Sequence, residues 1–376
     1  MAQIAFPFQV FVKPAGNRCH LSCDYCYYAG YKGPYLEIRH QHMAPELLER
    51  YIQQHIAAHP GPVVPFSWHG GEPTLLGVDF FRTVVALQKK YGPSGIRITN
   101  GIQTNGTLID HDWCTFLKKH HFTVGISLDG PAEIHDHYRK TVHGNSTFEQ
   151  VMRGYFLLQR YHIPVDILCV VNDLNVMYPL QVYQFFREIR AAYIGFLPLV
   201  EPGEPGGETV SVRSVGAEEL GAFLCLIFDQ WQTHDIGKIR IQIFEEAAST
   251  AFGLDHALCI FRETCGEIPM IEHNGDVYSC DHFFKPENKL GNLMQASLAE
   301  LIASSGQMRF GAGKKASLPL QCRKCTVLNM CNGGCPKDRL LTSSDGRKLN
   351  YLCDGYTLFF NHCKPFVKEL STRSAR

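Results

Sequence analysis

Cysteine is the residue type in this 376-residue chain best suited to chemistry, and the placement of its fifteen copies matters more than their number. Three lie in Cys19–Cys26 and nine in Cys259–Cys363, leaving Cys114, Cys169 and Cys225 scattered singly. The N-terminal segment MAQIAFPFQV has no basic region, long apolar stretch or small-residue cleavage site, so the chain is expected to be cytoplasmic. In a reducing compartment, clustered thiols read as metal ligands before they read as disulfides. The first group, Cys19-His-Leu-Ser-Cys23-Asp-Tyr-Cys26, has the pattern C-x3-C-x2-C. Three thiolates cannot complete a tetrahedral zinc site, nor can they ligate every iron of a four-iron cubane. An iron left without a protein ligand is an open coordination position, where a small molecule can bind and react. The alternative is a zinc site completed by His20 or a remote residue.

The second group begins with Cys259 and Cys265, and Cys265 is followed by Gly275 and Cys280 in a C-x9-G-x4-C pattern. Cys322, Cys325, Cys331 and Cys335 then fall within fourteen residues, ahead of Cys353 and Cys363. Those four alone could make one zinc site, but Cys259, Cys265, Cys280 and Cys353 would then lack a role. Eight cysteines suffice for two complete four-thiolate sites. Spacing does not choose how the eight pair, and Cys363 competes with Cys353 for the last place. Lone cysteines are most often small buried hydrophobes, the reading given to Cys114, Cys169, Cys225 and Cys363.

Such ligands need a scaffold, and the first two thirds of the chain alternates strand-like and helix-like segments. Strands are expected at 8–13, 63–68, 96–99, 123–128, 164–171 and 193–200. Helices are expected at 45–58, 78–90, 110–120, 146–161 and 179–189, with Pro45 in the first turn of the first. Repeated βα units imply parallel strands with right-handed crossovers, in a doubly wound sheet or a barrel that stops short of eight strands. Both architectures place their sites at the strand C-termini. There the loops are polar and glycine-rich: HGGEP (69–73), QTNGT (103–107), SLDG (127–130) and VND (171–173). A proline- and glycine-rich stretch at 201–216 leads into an amphipathic helix at 217–234, whose stripe of Leu220, Phe223, Leu224, Ile227, Phe228 and Trp231 suits core packing. Residues 255–363 show little periodicity and are expected to be loop-rich, ordered by metal centres. A two-domain division into 1–236 and 237–376 follows. With 36 basic and 36 acidic side chains the formal charge is zero, which argues against nucleic acid or a membrane surface as partner. No apolar run approaches a membrane span.

The triad, with Tyr25 before its last cysteine, resembles the signature of the radical S-adenosylmethionine enzymes. That resemblance implies a partial (β/α)6 barrel of TIM type, and a 4Fe–4S cluster on Cys19, Cys23 and Cys26 whose open iron chelates S-adenosylmethionine. It also implies that Gly70, Gly71 and Glu72 form the loop receiving the methionine amino group. Ser127 and Arg139 match positions that grip the ribose and the carboxylate, while Tyr25 and Val200 border the adenosine. The later cysteines resemble the SPASM domain, a C-terminal, loop-rich extension with auxiliary 4Fe–4S clusters. By that likeness Cys259, Cys265, Cys280 and Cys335 hold the nearer auxiliary cluster, and Cys322, Cys325, Cys331 and Cys353 the farther one, giving three clusters in all.

Together KPAGNRCHLSCDYCYY, SWHGGEPTL, IQTNGTLI, VGISLDGP, NGDVYSCDHF and CNGGCPKDR resemble the anaerobic sulfatase-maturating enzymes, over nearly the whole chain. The resemblance implies oxidation of a cysteine or serine in a C/S-x-P-x-R context to Cα-formylglycine, after a 5′-deoxyadenosyl radical removes a Cβ hydrogen. It places the general base at Asp281, directly after Cys280. It implies an unfolded or nascent sulfatase as substrate and a low-potential electron donor of flavodoxin or ferredoxin type. The alternative within this architecture is another peptide-modifying enzyme, such as a thioether-forming maturase. Those commonly carry an N-terminal peptide-binding domain, and only about eighteen residues precede Cys19. His69, Tyr28 and Gln103 are further candidates for the pocket wall, and Asn105 and Asp129 are expected to cap loops.

Overall fold

A computed structural model describes residues 4–28, 42–203 and 208–374. In chain order the main strands are β1 (Phe11–Lys13), β2 (Val63–Trp68), β3 (Arg97–Thr104), β4 (Phe122–Ser127), β5 (Val165–Val171), β6 (Tyr193–Pro198), β7 (Arg240–Ile241), β8 (Met270–Glu272), β9 (Asp276–Tyr278) and β10 (Lys289–Asn292). The helices that follow them include α1 (Pro45–Ala58), α2 (Gly77–Tyr91), α3 (His111–Lys119), α4 (Ala132–Tyr138), α5 (Phe148–Arg160), α6 (Pro179–Glu188), α7 (Ala217–His234) and α8 (Gln242–Ser249). The fold is α/β, and the six expected βα steps are present. The chain forms two compact units. One gathers residues 1–127, 136–165 and 266–311, and the other gathers 128–135, 166–265 and 312–376.

In the first unit the strand order is β10-β9-β8-β1-β2-β3-β4. Strands β1 to β4 pair in parallel, with Phe11 opposite Ser67, Ser67 opposite Gly101 and Ile102 opposite Val124. Buried β-branched and aromatic residues, Val64, Phe66 and Trp68 among them, give β2 its core face. Two buried amides complete the layer: Asn100 and Gln88 exchange hydrogen bonds of 2.9 Å, and the Trp68 indole donates to Asn100 Oδ1 at 2.9 Å. Helix α1 starts at Pro45 and lays Leu48, Tyr51, Ile52, His55 and Ile56 inward, one face of a 3.6-residue period.

The stretch 255–363, expected to be loop-rich, also holds regular elements, among them helix Ser305–Ala316, and two further ones matter most here. First, β8 pairs in parallel with β1, matching Phe11 to Met270 and Lys13 to Glu272, and β9 and β10 extend the edge antiparallel. The Asn274–Gly275 turn between β8 and β9 is a hairpin signal, but three-residue strands carry too little alternation to stand out. Second, a helix runs from Cys353 to Ser374. Its buried Tyr356, Phe359, Phe360, Cys363 and Val367 have helical spacing, which the interior Pro365 obscures.

In the second unit β5, β6 and β7 are parallel. The α7 stripe is core, as expected: Phe228 meets Phe359 and Phe366 at ring-centroid distances of 6.1 and 5.6 Å, and Trp231 meets Phe366 at 5.9 Å. The two helices touch backbone to backbone, because a Cβ on Gly355 would lie 2.0 Å from the Ala217 carbonyl oxygen. No helix among the described residues is long and apolar enough to cross a membrane.

One buried group makes folding pH-dependent. His55 is fully enclosed and donates Nε2–H to the Pro65 carbonyl at 3.0 Å. Burial, aided by His59 and opposed by that hydrogen bond, pulls its imidazole down to about 3 from 6.5. The unfolded chain takes up this proton near 6.5 and the folded chain does not until about 3, so stability is intact above that window and is lost as pH falls through it. Between pH 7 and pH 5 the loss from this group is about 2 kcal/mol. Denaturant titrations at the two pH values should show that loss shrinking by about this amount in His55→Phe; equal losses would mean the histidine is not buried neutral.

Candidate functional site

Three loops at the C-terminal ends of β1, β2 and β3 are bound to one another through backbone and one carboxylate. The Gly71 amide donates to Gly16 O at 2.8 Å, and the Glu72 amide to Arg18 O at 2.7 Å. The approach is so close that a Cβ on Gly71 would sit 2.1 Å from Arg18 O. Glu72 is buried, and its Oε1 accepts from Thr74 N at 3.0 Å, Thr74 Oγ1 at 2.6 Å and Thr104 Oγ1 at 2.7 Å. Its Oε2 accepts from Asn105 N at 2.8 Å. A carboxylate with this many donors is a structural brace, and it ties the GGEP loop to the QTNGT loop. Asn105 caps its own loop by accepting from Thr107 N and Oγ1, as expected.

The cysteine triad sits on this frame. Leu21 N donates to Cys19 Sγ at 3.4 Å, and Asn105 Nδ2 lies 3.8 Å from the same sulfur, contacts that favour a thiolate. Burial pushes the free Cys19 thiol up to about 12; the Leu21 hydrogen bond opposes this, and the charges of Glu72, Cys23 and Cys26 add to it. The three thiols are therefore mutual neighbours and gain most by binding a cationic centre that displaces their protons. Tyr25 packs edge-on to Tyr138 at 5.6 Å, and the Arg139 guanidinium carbon lies 5.4 Å from the Tyr25 ring. Ser127, at the end of β4, accepts from Gln103 Nε2 at 3.1 Å. Val200 is buried just past β6 in the second unit.

The β1–β8 pairing builds a second cluster of side chains in the first unit. Lys13 is 1% exposed, and its ammonium lies 2.6 Å from Asp281 Oδ1 and 3.7 Å from the centre of the Tyr28 ring. The Tyr27 hydroxyl donates to Asp281 Oδ2 at 2.7 Å, and the Tyr28 hydroxyl to buried Glu272 at 2.5 Å. Burial works to raise the Asp281 carboxyl, but Lys13, His282 and the Tyr27 hydroxyl overcome it and hold the group well below the usual carboxylate range. His69 stacks on Phe11 at 4.1 Å; desolvation, opposed by Asp281, pulls its imidazole down to about 4. Asp281, His69, Tyr27 and Tyr28 thus share one neighbourhood with the end of β1.

None of the fifteen cysteines forms a disulfide. In the second unit Cys331 is a neighbour of Cys353, Cys322 and Cys325, while Cys259 is a neighbour of both Cys265 and Cys335. Burial pushes the thiols of Cys331 and Cys335 up to about 12. Cys363 is instead buried beside Cys225. Among the described residues no three His, Cys, Asp or Glu side chains converge as they would around a single metal ion.

Residues 14–186 match the radical SAM superfamily, and residues 259–326 match the iron-sulfur cluster-binding domain called SPASM. A serine-type anaerobic sulfatase-maturating enzyme from Bacteroides thetaiotaomicron is 43% identical over 392 residues, covering 100% of this chain and 94% of the relative. A cysteine-type enzyme from Clostridium perfringens is 32% identical, covering 96% and 97%. The solved structure of native anSMEcpe with bound AdoMet and Cp18Cys peptide superposes with a TM-score of 0.88 at 31% identity, covering 98% of this chain and 99% of that one. The chain belongs to the anaerobic sulfatase-maturating enzymes. It is a radical S-adenosylmethionine enzyme with a SPASM domain, of the oxidoreductase type.

Sequence reading missed Lys13 and Glu272 in this family site. A lysine closing the apolar strand FQVFVK was a usable signal, since a buried lysine is rare without a partner. Tyr27 and Glu272 had none, because their partners lie 254 and 244 residues away along the chain.

The Gly71 contact yields a direct test. Gly71→Ala forces the Arg18 backbone away and moves Cys19 with it, at a cost of about 1–3 kcal/mol for overpacking. Anaerobically reconstituted Gly71→Ala should lose iron from the N-terminal site, while Gly61→Ala, whose Cβ would make only ordinary contacts, should retain it. Equal iron in the two variants would contradict the close-packed loop.

Proposed function

We propose that the chain oxidises a cysteine or serine of an unfolded sulfatase, in a C/S-x-P-x-R context, to Cα-formylglycine, with Asp281 as the proton acceptor. The observation that carries this reading is Asp281 itself: it follows Cys280 directly and has both oxygens held by Lys13 and Tyr27. Cys19, Cys23 and Cys26 are the ligands of the first 4Fe–4S cluster. Cys259, Cys265, Cys280 and Cys335 hold the second, and Cys322, Cys325, Cys331 and Cys353 the third. The neighbour relations among the second-unit thiols support that division, and favour Cys353 over Cys363. The backbone of Gly70, Gly71 and Glu72 receives the methionine amino group of S-adenosylmethionine, Ser127 and Arg139 contact its ribose and carboxylate, and Tyr25 and Val200 border its adenosine. A flavodoxin- or ferredoxin-type protein supplies electrons. When bound, S-adenosylmethionine and the clusters supply the radical that removes a Cβ hydrogen and the acceptor for the second electron.

The protein's own part is proton management. Even an ordinary aspartate lies about 4.6 pK units below a thiol, roughly 6 kcal/mol uphill for taking its proton. Lys13 and Tyr27 stabilise the Asp281 anion further, so it does not deprotonate an intact side chain. It accepts the proton only once loss of the Cβ hydrogen has made the adjacent S–H or O–H far more acidic. The Lys13 charge keeps the carboxylate ionised and ready, and Tyr27 fixes its orientation. Serine is the expected target residue, since the relative at 43% identity is serine-type.

Mass spectrometry of S-x-P-x-R and C-x-P-x-R peptides after anaerobic turnover tests the assignment. Loss of two hydrogens from serine, or exchange of the thiol for an aldehyde oxygen from cysteine, identifies formylglycine, and no change in either peptide removes the assignment. Asp281→Asn should still release 5′-deoxyadenosine in the presence of peptide while formylglycine falls at least about a hundredfold, the usual scale of a lost general base. A matched loss of both products would show that Asp281 is structural.

A further inference from the structure

Two basic side chains are buried among the auxiliary cysteines of the second unit. Lys314 is spent on structure: its ammonium donates to the carbonyls of Cys259 at 2.7 Å, Ile260 at 2.8 Å and Arg262, closing the loop that carries Cys259. Arg339 is 8% exposed and differently placed. Its Nε donates to Gly333 O at 3.3 Å, and its Nη1 to Lys314 O and Ser317 Oγ, both at 2.8 Å. All three acceptors are neutral. Its Nη2 is buried and has no hydrogen-bond partner.

A guanidinium cannot shed its charge, and burying one without a counter-charge costs several kcal/mol. Among the described residues no carboxylate forms an ion pair with Arg339; the ionisable neighbours that favour its charge, once their thiols are deprotonated, are Cys322, Cys335, Cys265 and Cys331. Two of these, Cys265 and Cys335, belong to the nearer auxiliary set, and two, Cys322 and Cys331, belong to the farther set. Gly333 and Gly334, inside the Cys331–Cys335 loop, let the chain turn so that Arg339 folds back against it: a Cβ on Gly333 would meet Arg339 Nη2 at 3.0 Å. The guanidinium is thus locked by its neutral bonds and leaves one donor edge uncommitted.

We propose that Arg339 is a fixed counter-cation shared by the two auxiliary clusters, raising the reduction potential of both so that they accept an electron readily. This rests on the proposed assignment of the eight C-terminal cysteines to two clusters. A four-thiolate cluster gains negative charge on reduction, and a permanent positive charge in a low-dielectric surround stabilises the reduced form more than the oxidised one. One charge that neighbours ligands of both sets biases both in the same direction. Arg339 is on this view a positioning and tuning residue, remote from the peptide.

The test uses the anaerobically reconstituted full-length enzyme, with iron and sulfide counted and the clusters titrated under electron paramagnetic resonance. Arg339→Gln should retain its iron and shift both auxiliary potentials to more negative values by roughly tenfold in the reduction equilibrium, about 59 mV for one electron, with the N-terminal cluster unmoved. Arg339→Lys, which keeps the charge, should restore most of the shift. Full iron with unmoved auxiliary potentials in Arg339→Gln, or movement of one auxiliary cluster alone, would overturn the proposal. If Arg339→Gln loses iron, Arg339→Lys decides. Full loading at wild-type potentials supports a role for charge, and loss of iron there too shows that guanidinium shape alone is needed. Wild-type protein holding only one cluster would remove the underlying assignment, a failure visible before any variant is made.

Discussion

The parallel pairing of β8 with β1 is the constraint on which the candidate site depends. It sets Lys13 opposite Glu272 within the sheet, and so carries the segment that follows, Cys280 and Asp281, to the loop that holds the N-terminal cysteines. A buried ammonium demands an anion, and Asp281 is that anion at 2.6 Å. Removing either partner would strand the other, at a cost on the order of 3–5 kcal/mol. One ion pair therefore ties the start of the chain to the start of its cysteine-dense third, and favours the ionised form of the carboxylate.

Within each unit the buried charges divide the labour. Glu72 is consumed by four donors and braces two loops. Lys314 is consumed by three carbonyls and closes a third. Asp281 takes one cation and one hydroxyl and stays 14% exposed, an arrangement that lowers its basicity without sealing the carboxylate off completely. Arg339 retains an unsatisfied edge. Groups with all partners supplied hold the frame, while those left incomplete are the ones with work still to do.

Much of this was legible in the residues. The helix 45–58, the strand 63–68 and the helix 217–234 have the boundaries their periodicity implies, because each carries a long, one-sided or continuous apolar run. The cysteine groups were legible by spacing, and the GGEP and QTNGT loops by their place after strands. Tyr27 and Glu272 were not, since contacts across more than two hundred residues leave no local periodic trace, and Lys13 showed only as a lysine closing an apolar strand. The C-terminal helix was hidden for another reason: one sequence, CDGYTLFFNHCKPF, carries the proposed ligand Cys353, packs Phe359 against α7 and contains Pro365, so its pattern is a compromise. The resemblance already gave the last ligand place to Cys353, and the burial of Cys363 beside Cys225 agrees with that reading.

The proposed oxidation requires that hydrogen leave the target side chain at Cβ. A substrate peptide deuterated at the Cβ of its serine, turned over anaerobically with S-adenosylmethionine, should deliver deuterium into 5′-deoxyadenosine in step with the aldehyde formed. 5′-Deoxyadenosine free of deuterium, with the label retained in an unchanged serine, would contradict it.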